Sequence, residues 1–299
     1  MDIRILSYFL EVAKSGNISR AAENLHMSQP PLSRSMQLSE EELGVTLFVR
    51  GKRKITLTHE GQLLRKRAQQ MIALADKTVE EISGMKNEVS GRIYIGSIES
   101  ISLGIMPKWI VEFHQQYPEV YFDWWSGNSN DVLERLEHGL IDFAVVRTPC
   151  NSEKFISGSL YREPWMAFVK QEQLPESAKD SQEISLEELG SMSLIIPSIK
   201  TRAQEIREWF GKRGIVPNIC CEISPAMNAI SLVENGMGAA ILPASASGAA
   251  EGKGIAVRKI INPTMESEII IVYNRDNRLS TAAVRFIQYI QESCGVEDK

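Results

Sequence analysis

Four polar side chains, Ser28, Gln29, Ser33 and Arg34, fall within one short stretch, and their types suit hydrogen bonding to nucleic-acid bases. Glutamine can pair bidentately with adenine and arginine with guanine, a serine hydroxyl is a short donor or acceptor, and each can equally hold a phosphate. Such chemistry needs a helix that turns these groups outward together. Ser28 is a favoured residue at a helix start, and Pro30 and Pro31 follow in the first turn, where a missing N–H costs nothing. The apolar positions Leu32, Met36 and Leu43 then leave Gln29, Ser33, Arg34 and Gln37 outside, while the prolines offer only apolar contact, for example to a thymine methyl. Upstream, a shorter helical pattern starts at Ser19, places Ala21, Ala22 and Leu25 on one face and ends between Asn24 and Met27. Two short helices about a tight turn form the layout of a helix-turn-helix.

The charge of this stretch is modest, with Arg20 and Arg34 against Glu23, Glu40, Glu41 and Glu42, so one copy needs help to hold DNA. Residues 3–14 set Ile5 or Leu6, Phe9, Leu10 and Ala13 at helical spacing before Gly16, which predicts a supporting helix. From Leu47 to Thr58, FVRGKRKITLT alternates around a basic tip and predicts a hairpin, the wing of a winged helix, with Arg50, Lys52 and Arg53 on phosphates or in a minor groove. Thr58 can cap a long helix reaching about Val89. Leu64, Ala68, Met71, Ala75, Thr78, Ile82, Met85 and Val89 recur along it at alternating steps of four and three, a seam suited to a partner helix, widened by Leu63, Ile72, Leu74 and Val79.

Gly91 opens a region where strands and helices alternate. The pattern predicts a strand at 93–96, a helix at 103–116, a strand at 120–125, a helix at 131–138 and a strand at 141–146. A second block repeats it at 193–197, 202–213, 219–223, 225–235 and 239–242. The strand at 269–273 and the helix at 281–294 are more easily used to finish the first lobe. Two crossovers follow, near Leu160–Pro164 and near Asn262–Ser267, with a cleft between two α/β lobes. The stretch 150–193 has no clear pattern. Ligands of open α/β sheets bind beyond the carboxyl ends of the strands. The candidates there are Ser97, Glu99, Ser100 and Ser102, then Asn128, then Arg147 and Thr148, and in the second lobe Ser198 and Thr201. Hydroxyls at helix starts favour a small carboxylate, sulfate or phosphate-like ligand, whereas Glu99 would suit the ammonium of an amino acid or amine. Met227 and Trp165 offer an apolar wall, with core packing as their plainer role.

At 299 residues with 43% hydrophobic and 24% charged content, the chain has room for about two domains. Net charge is −5, unhelpful for a nucleic-acid binder taken alone. Residues 1–90, however, carry 13 Lys+Arg and 11 Asp+Glu, a net +2, while the remainder carries 20 and 27, a net −7. No apolar run approaches the roughly 20 residues that cross a bilayer, and the first residues lack a basic, then apolar, leader, so a cytoplasmic protein is expected. Cys150, Cys220, Cys221 and Cys294 show no CxxC spacing, and His26, His59, His114 and His138 no ligand spacing, so no metal is expected. No GxSxG, GxxxxGK or histidine cluster supports an enzyme. The remaining alternative, a solute-binding receptor without a transcriptional role, would explain only the second region.

The run from Tyr8 through FLEVAKSGNISRAAENLHMSQPPLSRSMQLSEEELGVTLFVR, followed by ITLTHEG, resembles the N-terminal signature of LysR-type transcriptional regulators. IGSIES with MPKWIVEFHQQYPEV, LEHGLIDFAVV and ENGMGAAILP resemble that family's effector-binding region. The resemblance implies an α/β protein overall. It would have a mostly α winged helix-turn-helix over 1–58, a linker and dimerisation helix over 59–90, and a two-lobed effector domain over 91–299 similar to type 2 periplasmic binding proteins. Lobe I would take about 91–161 and 267–299, and lobe II about 162–266. It further implies effector contacts at Ser100, Thr148 and the segment Pro197 to Thr201, pairing of the linker helix, a tetramer built from two dimers, and DNA bending relaxed by effector. Double-stranded operator DNA and, for an activator, RNA polymerase would be the partners.

Overall fold

Leu6, Phe9 and Val12 recur at helical spacing and are buried, and around them the N-terminal core gathers Ala21, Ala22, Leu32, Met36, Leu47 and Phe48. The computed structural model describes residues 2–51, 54–83, 89–150, 154–224, 226–275 and 279–296. It divides into two units, 1–85 and 86–299.

The first unit begins with α1 (Ile3–Ser15), whose N-cap Asp2 accepts the Arg4 N–H at 3.0 Å and whose end is turned by Gly16 in the left-handed region. Next, α2 (Ile18–Asn24) starts one residue earlier than Ser19, because Asn17 accepts the Arg20 N–H at 3.1 Å and is the better cap. The following helix, α3 (Gln29–Leu43), has its prolines in the first turn and stops at Gly44, φ 66°. Strands β1 (Phe48–Arg50) and β2 (Ile55–Leu57) pair antiparallel as the expected hairpin. Two contacts hold it: the Ile55 N–H donates to the Gly16 carbonyl at 2.8 Å, and Glu40 Oε1 accepts the N–H groups of Leu47 and Phe48 at 2.7 and 3.2 Å. Lys52 and Arg53 lie outside the described residues.

Thr58 Oγ1 accepts the Gly61 N–H at 2.9 Å and so caps α4 (His59–Ser83). Val89 is not helical, and Met85 lies outside the described residues. Leu64 and Ala68, expected on the seam, are instead buried in the core of their own unit. The first turns of α4 therefore pack inward. Further on, Met71, Leu74 and Ile82 are 45%, 43% and 65% exposed, and Ala75 is half-buried.

In the second unit the order is β3 (Gly91–Ile98), α5 (Glu99–Leu103), α6 (Met106–Gln116), β4 (Val120–Gly127), α7 (Ser129–Glu137), β5 (Phe143–Arg147) and β6 (Phe155–Lys170). Then come α8 (Glu176–Lys179), β7 (Glu183–Ser185), α9 (Leu186–Gly190), β8 (Ser193–Pro197), α10 (Lys200–Gly211), β9 (Asn218–Ile223), α11 (Ala226–Glu234) and β10 (Ala239–Pro243). The unit closes with β11 (Ile255–Ile261), β12 (Glu266–Asn274) and α12 (Thr281–Ser293). The strands run β4-β3-β5-β12-β6-β10-β8-β9, with β11 also paired to β6 and β7 paired to β11. The pairs β4-β3-β5 and β10-β8-β9 are parallel, as a βαβ order requires, while β12 and β6 run antiparallel to their neighbours.

The passage between lobes is made by β6, which pairs with β12 as far as Pro164 and with β10 and β11 from Trp165 and Met166 onward. The return lies between β11 and β12. One helix expected at 103–116 is two, α5 and α6, broken at Gly104, where a Cβ would stand 2.7 Å from the Ser245 carbonyl oxygen. The stretch 150–193 proves to hold β6, α8, β7 and α9, a long antiparallel strand and short pieces rather than a repeating βα unit.

Gly61 closes the first unit: a Cβ there would lie 2.2 Å from the Leu47 carbonyl oxygen, the same backbone that Thr58 and Glu40 fasten. Gly61→Ala is expected to destabilise this unit by about 1–3 kcal/mol, the usual cost of overpacking. Urea unfolding followed by circular dichroism checks it, and an unchanged midpoint would show that the backbone yields without strain.

Candidate functional site

In α3, Leu32 and Met36 are buried while Gln29, Pro30 and Arg34 are exposed and Ser33 is half-buried. Hydrogen bonding sorts its polar side chains further. Ser35 and Ser39 donate back to the carbonyls of Pro31 and Ser35 at 3.0 and 2.9 Å, and Gln37 donates to Glu41 at 3.1 Å. Ser28 stands at the N-cap without making a side-chain cap bond. No hydrogen bond joins the side chains of Ser28, Gln29, Ser33 or Arg34 to any described residue. The exposed face of α3 thus presents uncommitted donors and acceptors at its N-terminal half.

In the second unit the ends of β3, β4, β5, β8, β9 and β10 converge on a cavity of about 100 Å³ between the lobes. Lobe I supplies Glu99, Ser100, Asn128 and Arg147, and lobe II supplies Trp165, Ile199, Arg202 and Leu242 among others. Arg147 dominates its chemistry. The guanidinium, 11% exposed, donates through Nη2 to Glu163 Oε1 at 2.5 Å and to Ser100 Oγ at 3.3 Å, and through Nε to Ser267 Oγ at 2.8 Å. It lies over the Trp165 ring, 5.5 Å from the centroid. Burial pulls its pKa down, the Glu163 carboxylate opposes that, and the neighbouring positive charge of Arg202 adds to the lowering. Arg202 itself donates to the Thr148 carbonyl and to Glu205. Among buried polar atoms, Trp165 Nε1 has no hydrogen-bond partner.

Of the residues expected at the cleft, Glu99, Ser100, Asn128 and Arg147 line it. Asn128 also caps α7 by accepting the Asp131 N–H at 3.0 Å. Ser97 and Ser102 do not line it. Their hydroxyls hydrogen-bond one another at 2.7 Å, and Ser97 accepts the Trp124 indole N–H at 2.8 Å, so both are consumed inside lobe I. Thr148 contributes its carbonyl to Arg202 and turns its hydroxyl toward the Glu268 carbonyl. Ser198 and Thr201 are exposed beside the cavity, whose wall there is Pro197, Ile199 and Arg202. Met227 is 37% exposed and not part of the lining, whereas Trp165 is. Arg202, Glu163 and Ser267 went unnoticed because no local motif marks them.

Two sequence families match the chain: "Bacterial regulatory helix-turn-helix protein, lysR family" over residues 3–62 and "LysR substrate binding domain" over residues 86–295. The transcriptional regulator BsdA of Bacillus subtilis is 34% identical over 81% of this chain and 84% of its own. An uncharacterised regulator of the same organism, YybE, is 30% identical over 97% and 98%. Among solved structures, full-length CbnR in complex with its target DNA aligns at 25% identity, covering 98% of this chain and 100% of that one, with a TM-score of 0.81. With the two family matches covering both units and their described folds in agreement, the chain belongs to the LysR family of helix-turn-helix transcriptional regulators.

Proposed function

We propose that this LysR-type regulator reads its operator through the N-terminal half of α3, with Gln29 and Arg34 on base edges or phosphates, Ser28 and Ser33 beside them and Pro30 in apolar contact. The observation behind this reading is the sorting of α3: the side chains with no partner in the described protein are the ones on its exposed first turns. Arg50, Lys52 and Arg53 of the wing add phosphate neutralisation, which supplies much of the affinity in such complexes. Two copies pair through the exposed stripe Met71, Leu74, Ala75 and Ile82 of α4, so that two α3 helices meet successive major grooves of a roughly palindromic operator. Dimers joining as tetramers, and contact with RNA polymerase where the protein activates, extend the same reading. The protein works in the cytoplasm, where that DNA is.

A small-molecule effector occupies the cleft between the lobes, against Arg147, Ser100, Glu99 and Asn128, and controls operator binding or bending. It does so only by binding two arrangements of the protein unequally. Footprints of the full chain on DNA with and without candidate metabolites test this; footprints that no metabolite alters would remove effector control.

Arg34→Ala is expected to weaken operator binding at least about tenfold and to lower the salt dependence by about one counterion, without loss of fold. Gel-shift titration at several salt concentrations reads both, and wild-type affinity would take Arg34 out of the interface. For the pairing helix, a Met71→Glu, Ile82→Glu double variant is expected to halve the mass of the smallest assembly measured by sedimentation. An unchanged mass in a folded protein would place the dimer contact elsewhere.

A further inference from the structure

The residues of α3 that face outward stand in its first turns, where no side chain ties the helix down. Ser28 makes no cap bond, and the side chains of Gln29, Ser33 and Arg34 bond to no described residue. Burial of Leu32 and Met36 holds the helix from beneath, and the turn before it sets the course of its start. The N–H groups of Leu25, His26 and Met27 donate to the carbonyls of Ala21, Glu23 and Ala22, each at 3.0 Å, so this turn hangs from the end of α2. His26 takes the left-handed conformation there, φ 52°.

The apolar grip on α2 itself is slight. Its buried side chains are Ala21 and Ala22, with Ile18 half-buried, and an alanine removes little apolar surface from water. The last residue of α2 adds a polar tie to α1. Asn24 Nδ2 donates to Glu11 Oε1 at 2.7 Å and to Ser15 Oγ at 3.3 Å, and Ser15 Oγ donates to the same Glu11 oxygen at 2.7 Å. The hydrogen bond from Asn24 first, and that from Ser15 next, hold the Glu11 carboxyl below the ordinary carboxylate range, so it is an ionised acceptor at neutral pH. Hydrogen bonds to an ionised acceptor are shorter and stronger than neutral ones. Asn24 is exposed, however, and a surface pair adds little to stability. The tie acts on direction: it fixes the end of α2 from which the turn and the first residues of α3 hang.

We infer that Glu11 is a positioning residue for operator reading, acting through Asn24 to set the angle at which the first turns of α3 meet the bases. This rests on the reading of α3 as the helix that enters the groove, and it assigns Glu11 no contact with DNA.

The probes are a duplex that the full-length protein enriches from a random-sequence library and the same duplex with its base order shuffled. Fluorescence anisotropy gives the ratio of the two affinities. Glu11→Ala and Asn24→Ala are each expected to lower that ratio at least about threefold, a part of what one bidentate base contact contributes. The double variant is expected to lose no more than either single variant, because both remove one bond. Glu11→Gln, which still offers Asn24 an amide oxygen, should keep the ratio within about twofold of the wild type, since the neutral acceptor weakens the bond without removing it. Melting temperatures and the salt dependence of binding to the shuffled duplex should stay level in all four variants, which separates a change in aim from a loss of fold or of phosphate contacts. A wild-type ratio in Glu11→Ala overturns the inference. So does a loss confined to Asn24→Ala, which would make Asn24 a direct DNA contact, and so do losses that multiply in the double variant. Gln29→Ala combined with Arg34→Ala tells the two readings apart. If that variant loses selectivity while Glu11→Ala keeps it, the positioning role alone falls; if it keeps selectivity, α3 is not the reading helix and both fall.

Discussion

The Arg147–Glu163 pair is the interaction on which the second unit depends. Glu163 sits on β6 one residue before Pro164, at the point where the strand stops pairing with lobe I and begins pairing with lobe II. Its two oxygens face opposite ways, one to Arg147 at the end of β5 and the other to the backbone of Ser245 after β10. Two charges this deep are costly to desolvate, and their attraction compensates only when the remaining donors and acceptors are satisfied. Ser267, Ser100 and the Ser245 N–H do much of that. The pair is therefore better understood as setting one spacing of the lobes than as adding net stability, and Arg202 on the Thr148 carbonyl is a second tie of the same kind.

A comparable economy of polar groups organises the first unit. Glu40 belongs to an acidic run that looks unfavourable for binding DNA, yet it turns inward to accept two backbone N–H groups at the start of the wing. The Gly16 carbonyl anchors the other wing strand, and Thr58 spans from the Thr46 carbonyl to the first turn of α4. Both wing strands are thus fastened to the ends of α1 and α4 and to α3. Although the chain carries a net charge of −5, one carboxylate of the acidic run, Glu40, is spent on the backbone N–H groups of Leu47 and Phe48.

Much of this was legible in the sequence, because it is written in local pattern. Apolar spacing, caps and glycines placed α1 to α4, the hairpin and most strands and helices of both lobes within a few residues. Two failures have the same physical origin. On α4 the heptad reading assigned Leu64 and Ala68 to a partner helix, but the early turns of a long helix must also cover their own domain, and periodicity alone does not say which neighbour a stripe meets. In the stretch 150–193, β6 is a long strand shared between two sheets, so its apolar residues follow neither a simple alternation nor one buried run.

The cleft shows why strand ends are easy to find and the groups that act there are not. Serine and threonine at such positions were the natural candidates, and their short side chains are the ones most readily captured by nearby groups of the protein. Ser97 and Ser102 hold one another, and Thr148 turns toward Glu268, all within lobe I. Longer side chains can leave their own turn and reach across the gap, as Arg147 does to Glu163 and Arg202 to the Thr148 carbonyl. Their partners lie far along the chain, Glu163 on the crossing strand and Ser267 on the returning one, so no spacing in the sequence announces them. Pairing of β6 with β12 and β10 creates this meeting of distant residues, and the chemistry of the cleft follows from the sheet order rather than from any single motif.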